Sequence, residues 1–365
     1  MTRRRFILCL CAIVVMLSVA SVPAVEKPQG TFSVVGYDPS TGDLGVAVQS
    51  RFFGVGSVVP YAEAGVGAIA TQAFGNTTYG PRGLTLLKLG MSAGSAVSLL
   101  TTNDGLRDQR QVGIVDAHGS AAAFTGKGTL DWAGNIGGEH FSVQGNILAS
   151  EPVLKAMADA YQSTNDGLAE KLLAALDAGQ AAGGDKRGKQ SAALLVVRAG
   201  GGYAGYNDRF IDLRVEDNPE PLIELRRLYN LWQKTFGVGA RLATAKAMET
   251  NGNGEGALLE RRKAYLIIQD ILKEKPDDAQ VLNASAWDLC SNIFNVKEGL
   301  EIAKRAVALA PKDWSIVDTL AECYYANGMY DEAIATETEA LNAEPENTYY
   351  AQQIAKYRAA KEKMK

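Results

Sequence analysis

The stretch Gly30-Thr31-Phe32-Ser33-Val34-Val35 marks the place where an apolar leader gives way to a globular domain. Its β-branched and aromatic residues favour a strand that starts at Thr31. Cleavage between Gly30 and Thr31 would give Thr31 a free α-amino group, and such an amine can act as general base for the threonine hydroxyl. Thr31 is therefore a candidate nucleophile, and the alternative is an ordinary β-branched residue at a strand start.

The residues before this stretch have the pattern of a secretory signal peptide. Arg3, Arg4 and Arg5 precede an apolar run from residue 6 to 19, and Val22-Pro23-Ala24 supplies small residues for cleavage. The apolar run is short for a transmembrane helix. The sequence predicts a signal peptide at 1–24 and a periplasmic or secreted protein, with an uncleaved anchor as the alternative.

The composition is that of a soluble globular protein with a sizeable core. The chain has 365 residues, of which 47% are hydrophobic and 21% are charged. It has 37 basic and 41 acidic side chains, and this balance argues against nucleic acid as a partner. Cys290 and Cys323 lie beyond the leader, and the sequence leaves open whether they form a disulfide or remain two buried thiols.

The order of elements predicts an α+β domain at residues 31–236. Strand signals are followed by two helices, further strands, two more helices, two strands and a closing helix. Runs of strands separated by paired helices predict a four-layer α/β/β/α sandwich, the arrangement that N-terminal-nucleophile (Ntn) hydrolases use.

A second, all-α region follows a glycine-rich segment. Residues 237–262 contain Asn251-Gly252-Asn253-Gly254 and are predicted to form a flexible linker. Residues 263–346 are predicted to form tetratricopeptide-like (TPR-like) repeats, and residues 347–365 a final helix. The repeat is indicated by three prolines at spacings of 35 and 34 residues, namely Pro276, Pro311 and Pro345. The alternative is a pair of helical hairpins in which the proline spacing is accidental.

Polar residues and glycines concentrate at strand ends and turns of the first region. Amides and glycines in such places suit recognition of an amide substrate or its oxyanion. We predict Thr31, Arg51 and Asn146 as the catalytic residues. The predicted substrate-binding residues are Ser33, Gln72, Asn76, Tyr79, Gln144, Gly184, Asp185 and Arg187.

Structural roles compete with several of these predictions. Arg51 could lower the pKa of the Thr31 amine, or it could form an ion pair with Asp43 or another carboxylate. Asn146 could be a buried amide that fixes a turn. The loop at 183–190 could be a solvated surface loop.

Other catalytic signatures do not occur in the sequence. It has two histidines without metal-type partners, so we predict no metal and no cofactor. Neither the G-x-S-x-G elbow nor the P-loop motif is present. The amino-terminal nucleophile is the enzyme hypothesis that remains.

A set of motifs resembles a known family. They are Thr31-Phe32-Ser33, the stretch 45–52, Ala70-Thr71-Gln72, Tyr79-Gly80-Pro81-Arg82-Gly83, Gln144-Gly145-Asn146 and the stretch 181–188. Their order and content are similar to the DUF1028 family of bacterial and archaeal proteins, whose activity is unassigned. The resemblance covers about residues 31–236 and implies an Ntn-hydrolase-like fold, but no substrate.

The present chain departs from many relatives in one respect. They begin with methionine directly before the Thr-Phe-Ser motif, whereas here Glu26-Lys27-Pro28-Gln29-Gly30 separates the predicted signal peptide from Thr31. A second cleavage is therefore required to expose the Thr31 amine.

These observations predict an exported amidohydrolase or peptidase. Thr31 would act on a peptide or a small molecule derived from the cell wall, and the TPR-like repeats would bind a protein partner. The first alternative is a catalytically silent module that binds a small ligand, and the second is a periplasmic scaffold in which the repeats dominate. The sequence does not determine whether the chain forms a homo-oligomer.

Overall fold

Two antiparallel sheets form the centre of the first region in the computed structural model, which describes residues 30–364. The strands are β1 Thr31–Asp38, β2 Asp43–Ser50, β3 Pro60–Glu63, β4 Gly67–Ala73, β5 Arg110–Asp116, β6 Ala121–Thr125, β7 Gly134–Gly138, β8 Phe141–Asn146, β9 Ser191–Val197 and β10 Arg209–Val215. The six-stranded sheet has the order β10-β9-β2-β1-β8-β7, and the four-stranded sheet has the order β3-β4-β5-β6. The predicted leader, residues 1–24, lies outside the described residues.

Helices cover the outer face of each sheet. They are α1 Tyr79–Lys88, α2 Ala93–Thr102, α3 Pro152–Ser163, α4 Leu168–Ala181 and α5 Pro221–Trp232. Apolar residues of α1 and α2 pack on the four-stranded sheet, and those of α3, α4 and α5 pack on the six-stranded sheet. A third apolar cluster fills the space between the two sheets. The predicted four-layer α/β/β/α sandwich is confirmed.

The central strand β1 is covered on both faces. Its first six residues are buried, which explains the nearly continuous apolar sequence. Val34 packs toward the helices, whereas Val35 packs between the sheets. Because side chains alternate along a strand, Thr31 and Ser33 share the face of Val35 and lie between the two sheets.

Seven further helices follow in antiparallel order. They are α6 Val238–Thr250, α7 Gly254–Glu274, α8 Ala279–Ser291, α9 Val296–Leu309, α10 Trp314–Ala326, α11 Tyr330–Ala343 and α12 Thr348–Lys363. The α-carbons of Cys290 in α8 and Cys323 in α10 lie 5.1 Å apart, and the two residues form a disulfide. This decides the alternative that the sequence left open.

The regular proline spacing reflects a repeated helix start. Asp278, Asp313 and Asn347 each lie two residues after one of the three prolines. Their side chains accept hydrogen bonds from the first backbone N–H groups of α8, α10 and α12, as N-cap residues do. Proline stops the preceding helix and the following cap starts the next one, so the 34-residue repeat has a physical basis.

The segment predicted as a flexible linker is helical. The last turn after α5, Gln233–Gly237, continues directly into α6, and only residues 251–253 separate α6 from α7. Val238 and Leu242 of α6 belong to the apolar core of the helical region. The glycines near 252 therefore form a tight helix–helix turn, and residues 237–262 are not an extended linker.

Between residues 30 and 364 no helix is long and apolar enough to cross a membrane.

Carboxyl groups are buried together near the end of the helical region. The Glu337 side chain is fully buried, and neither of its oxygens has a hydrogen-bond donor among the described groups. Burial and the adjacent carboxyl of Asp318 raise the pKa of Glu337 to about 8. Glu322 lies nearby and accepts hydrogen bonds from Lys356 Nζ and the Tyr357 hydroxyl. The pair formed by Glu337 and Asp318 therefore holds a proton at neutral pH.

This buried pair makes stability depend on pH. The pKa of Glu337 is higher in the folded state than in the unfolded state. The contribution of Glu337 to the free energy of unfolding therefore declines as pH rises from the unfolded pKa near 4.5 toward the folded pKa of about 8. We expect Glu337→Gln, which keeps the neutral form, to stabilise the protein at pH 8 by about 1 kcal/mol or more and to flatten that decline. Urea unfolding at pH 5 and pH 8 measures both effects. The exposed Glu339→Gln on the same helix is the control, and an equal response of both variants would contradict the prediction.

Candidate functional site

Thr31 begins the central strand of the six-stranded sheet. It pairs with Ser50 of β2 on one side and with Asn146 of β8 on the other. Its side chain faces the space between the sheets, and the residue is 3% exposed. The fold therefore places three polar residues in a row across the end of the sheet.

The Thr31 hydroxyl lies beside the hydroxyl of Ser50. The distance between Thr31 Oγ1 and Ser50 Oγ is 3.0 Å, and Ser50 Oγ donates to the carbonyl oxygen of Gly30 at 2.5 Å. Since Ser50 uses its single hydrogen for that carbonyl, the Thr31 hydroxyl is the donor in the bond between the two hydroxyls. Ser50 was not among the predicted site residues, although its pairing with Thr31 follows from the tight hairpin between β1 and β2.

A second donor reaches the same carbonyl oxygen. Arg187 Nη2 donates to Gly30 O at 2.8 Å. The guanidinium is held by the buried carboxylate of Asp185, which accepts from Arg187 Nε at 3.1 Å and from Nη2 at 2.7 Å. The carbonyl of the Gly30–Thr31 peptide bond is thus polarised by a hydroxyl and by a cation whose position is fixed.

The loop at 183–188 is tied to the sheet. Gly183 and Gly184 have φ values of +118° and +56°, which favour glycine. The Gly184 carbonyl accepts from Ala149 N, and Asp185 forms a β-bridge with Leu148, two residues after the end of β8. The buried carboxylate of Asp185 shows that this is not a fully solvated surface loop. Gly184 acts in the described structure through its backbone conformation.

Arg51 contacts this loop and not Asp43. Arg51 Nη1 donates to the carbonyl of Arg187 at 2.8 Å, and its backbone N–H donates to Asp185 Oδ2 at 3.1 Å. Asp43 instead forms a bidentate ion pair with Arg198, with both N–O distances at 2.6 Å. The alternative ion pair between Arg51 and Asp43 is therefore wrong. The cation that reaches Gly30 is Arg187.

The predicted amides form a buried network between the sheets. Gln72 Oε1 accepts from Ser33 Oγ at 2.6 Å, and Gln144 Nε2 donates to the same hydroxyl at 2.6 Å. Gln111 of β5 accepts from both Gln72 Nε2 at 2.8 Å and Asn146 Nδ2 at 3.0 Å. These bonds fix the Thr31 end of one sheet against the other.

Gln111 is a central member of this network and was not among the predicted site residues. Its Nε2 group donates to the carbonyl of Gly145 at 2.8 Å and to Gly134 O at 3.0 Å. A glutamine at the start of an otherwise apolar strand was the available signal. Its importance depends on contacts with β4 and β8, which are distant in sequence.

Asn76 and Tyr79 belong to a different cluster. Asn76 Nδ2 and the Tyr79 hydroxyl donate to Asp104 Oδ2 at 3.1 and 2.9 Å, and Arg110 Nε donates to the same oxygen at 2.9 Å. Burial opposes ionisation of Asp104. The hydrogen bonds that Asp104 accepts, above all the one from Arg110, outweigh the effect of burial and lower the pKa of Asp104. Burial, followed by the bond to Asp104, raises the pKa of Tyr79.

This second cluster borders a cavity between α1 and α2. The cavity has a volume of about 450 Å³ and is lined in part by Arg82, Leu86 and Leu99. No described hydrogen bond connects Asn76 or Tyr79 with Gly30, Thr31 or Ser50. The structure therefore divides the predicted substrate-binding residues into two groups.

Across residues 30–364 no three side chains of His, Cys, Asp or Glu are grouped to hold a metal ion.

Comparisons with known proteins identify the class of protein. The model of the family of unknown function DUF1028 matches residues 31–225, and a tetratricopeptide repeat model matches residues 295–357. The chain therefore belongs to the DUF1028 family and carries TPR repeats after the family domain.

A solved structure supports the same assignment. Protein SPO2555 from Silicibacter pomeroyi, a DUF1028 protein, is 32% identical, with a TM-score of 0.51. The similarity covers 56% of the present chain and 89% of that protein. No match was found among curated proteins.

Proposed function

We propose that this chain is the precursor of an exported amide hydrolase that uses Thr31 as its amino-terminal nucleophile. The observation that carries the proposal is the environment of the Gly30–Thr31 peptide bond. Its carbonyl oxygen accepts from Ser50 Oγ and Arg187 Nη2, and the Thr31 hydroxyl lies 3.0 Å from Ser50 Oγ. Two donors on one carbonyl oxygen are the arrangement that stabilises an oxyanion during acyl transfer.

The first step of the proposal is cleavage within the chain. Thr31 Oγ1 attacks the carbonyl carbon of Gly30, and the negative charge that develops on the oxygen is held by Ser50 and Arg187. The C–N bond breaks, the hydroxyl proton passes to the Thr31 nitrogen, and an ester joins Gly30 to Thr31. Water then hydrolyses the ester, which releases the Gly30 carboxylate and leaves Thr31 with a free amine.

The second step is hydrolysis of an external amide by the freed threonine. The Thr31 amine serves as the base for its own hydroxyl. Once the Gly30 carbonyl has left, Ser50 Oγ and Arg187 Nη2, the latter still held by Asp185, donate to the carbonyl of a substrate in its place. The Arg187 cation favours the neutral form of the amine, the role that the sequence predicted for Arg51. Asn146, paired with Thr31 in the sheet, positions the strand end through its bond to Gln111.

The test is the amino terminus of the protein recovered from its native compartment. We expect intact-mass measurement and terminal sequencing to show a chain that starts at Thr31. A peptide or cell-wall-derived amide is the expected substrate class, so the mature protein is screened against amides, peptides and peptidoglycan fragments. A start at Val25 without any hydrolysis would reject the proposal.

A catalytically silent binding module is the second candidate. The observation that favours it is the cavity of about 450 Å³ beside Asn76 and Tyr79, which is large enough for a small ligand. If the chain is such a binding module, we expect the protein that starts at Val25, without cleavage at Thr31, to bind a cell-wall fragment. Calorimetry measures this binding.

Export and partner binding complete the proposal. Residues 1–30 fused to a reporter are expected to carry the reporter to the periplasm, and a reporter that stays in the cytoplasm would contradict export. TPR repeats generally mediate protein–protein interaction, so the helical region is proposed to bring the hydrolase to a protein partner.

A further inference from the structure

The carboxylate of Asp185 occupies the space that a side chain at Gly30 would need. A Cβ atom built on Gly30 in the L configuration would lie 2.7 Å from Asp185 Oδ1 and 2.8 Å from both Oδ2 and Cγ. Contacts this short require one of the two groups to move. The position before Thr31 therefore accepts glycine and excludes a residue with a side chain, unless Asp185 is displaced.

Asp185 is not free to move away. Its carboxylate accepts from the backbone N–H groups of Arg51 and Arg187, at 3.1 and 2.9 Å, and from the Arg187 guanidinium. The side chain is fully buried, and displacing it would leave a buried carboxylate without these partners. It would also remove the carboxylate that positions Arg187, the donor to the Gly30 carbonyl.

We propose that Asp185 makes the site specific for glycine on the acyl side of the cleaved amide, so that the substrates are N-acylglycyl amides or peptides. The inference rests on the proposed function, because it places the substrate carbonyl where the Gly30 carbonyl lies, between Ser50 and Arg187. A carbonyl in that place puts the substrate α-carbon against Asp185. A glycyl group fits there, whereas the methyl group of an L-alanyl substrate meets the carboxylate.

The reaction itself is ordinary acyl transfer. Thr31 Oγ1 forms an ester with the glycyl carbon, the amide C–N bond breaks, and the hydroxyl proton reaches the leaving amine through the Thr31 amine. Water hydrolyses the glycyl ester and regenerates the hydroxyl. Specificity arises because the alanyl carbonyl is pushed away from its two donors, and a displacement near 1 Å costs on the order of 100-fold in rate.

The first experiment compares two anilides with protein that starts at Thr31. N-acetylglycine p-nitroanilide is expected to be cleaved with a kcat/KM at least about 100-fold higher than that of N-acetyl-L-alanine p-nitroanilide. Values within about threefold of each other would overturn the inference, and so would hydrolysis of other amides with no turnover of the glycyl compound. A protein without any Thr31-dependent hydrolysis would instead reject the proposed function itself.

Substitutions at Asp185 test whether this residue sets the preference. Asp185→Ala lowers both rates, because Arg187 loses its anchor, but it removes the obstacle and brings the ratio of the two kcat/KM values toward 1. Asp185→Asn keeps the volume, so the ratio is expected to stay high. The ratio is independent of the fraction of active protein. An unchanged ratio in Asp185→Ala would overturn the role of Asp185.

Self-cleavage of the precursor gives a readout without an external substrate. Gly30→Ala is expected to slow the appearance of the chain that starts at Thr31 by about 100-fold. The matched control is Gly137→Ala on β7, where a Cβ atom meets nothing within 4 Å. Thermal melting confirms that both variants fold. Wild-type cleavage rates in Gly30→Ala would overturn the inference.

Discussion

Thr31→Ala is expected to abolish both cleavage at residue 31 and hydrolysis of external amides, while the protein stays folded. The variant removes the oxygen that we propose as the nucleophile and its hydrogen bond to Ser50 Oγ, but the strand pairing with Ser50 and Asn146 uses the backbone. The stability cost should be about 1 kcal/mol, the usual size of one lost hydrogen bond. Mass spectrometry follows the cleavage, a chromogenic amide follows hydrolysis, and thermal melting follows stability.

Two further variants make this result specific. Thr31→Ser keeps a hydroxyl and an amine, so part of the cleavage and part of the activity should remain. Thr101→Ala is a matched control, because Thr101 is equally buried and its hydroxyl donates away from the site, to the carbonyls of Val97 at 2.8 Å and Ser98 at 3.3 Å. If Thr31→Ala were cleaved and turned over substrate as well as the wild type, Thr31 would not be the nucleophile.

Glu260→Ala is expected to destabilise the protein by about 3–5 kcal/mol, because it breaks a buried ion cluster. Glu260 of α7 is fully buried, and its Oε2 atom lies 3.1 Å from both Arg198 Nη1 and Arg241 Nη1. Arg198, which follows β9, also holds Asp43 of β2. Removal of the Glu260 carboxylate leaves two buried guanidinium groups around one remaining acid.

Burial opposes ionisation of Glu260, but Arg198, Arg241 and Lys263 outweigh it and lower its pKa. Because the folded-state pKa of Glu260 is lowered, its contribution to the free energy of unfolding is present above the unfolded pKa near 4.5. That contribution is lost as pH falls through the folded-state pKa. Urea unfolding at pH 7 measures the main effect. Glu249→Ala, which removes a more exposed ion pair with Arg261, should cost less than about 1 kcal/mol. Equal effects of the two variants would contradict the prediction.

The same cluster changes the expectation for a truncated protein. The glycine-rich sequence near 252 predicts few contacts between the two regions, so that the first region stays folded when residues 257–365 are removed. In the structure this cut removes Glu260 and exposes Val238 and Leu242 of α6, which pack in the helical core. The truncated chain is therefore expected to unfold at a lower temperature than the full chain. An unchanged melting temperature would show that the two regions are independent.

Local patterns in the sequence carried most of the fold. The change from β-rich runs to helical periodicity predicted the four layers, because strands buried on both faces have continuous apolar sequences. The proline spacing predicted the helical repeats, because each proline precedes an N-cap that starts the next helix. The buried alanines of these repeats, including Ala303 and Ala340, lie where close helix packing requires small side chains.

The candidate site was only partly accessible from the sequence. Motif order brought Thr31, Asn146, Asp185 and Arg187 into one hypothesis, and the structure places all four around one strand end. The sequence also assigned Asn76 and Tyr79 to that site, whereas they contact Asp104 beside the cavity between α1 and α2. Proximity to the end of β4 in sequence did not determine which side of the sheet these side chains occupy.

By itself the sequence determined the strand that begins at Thr31, the layer order and the helical repeat. These features depend on side-chain periodicity and on turn and cap residues within a few positions of each other. Only the tertiary structure decided that Ser50 and Arg187 meet on the Gly30 carbonyl, that Gln111 joins the amide network, and that Glu260 connects the two regions. Those contacts join residues 20 to 157 positions apart, and their partners are selected by strand register and by the burial of charge, which no local pattern encodes.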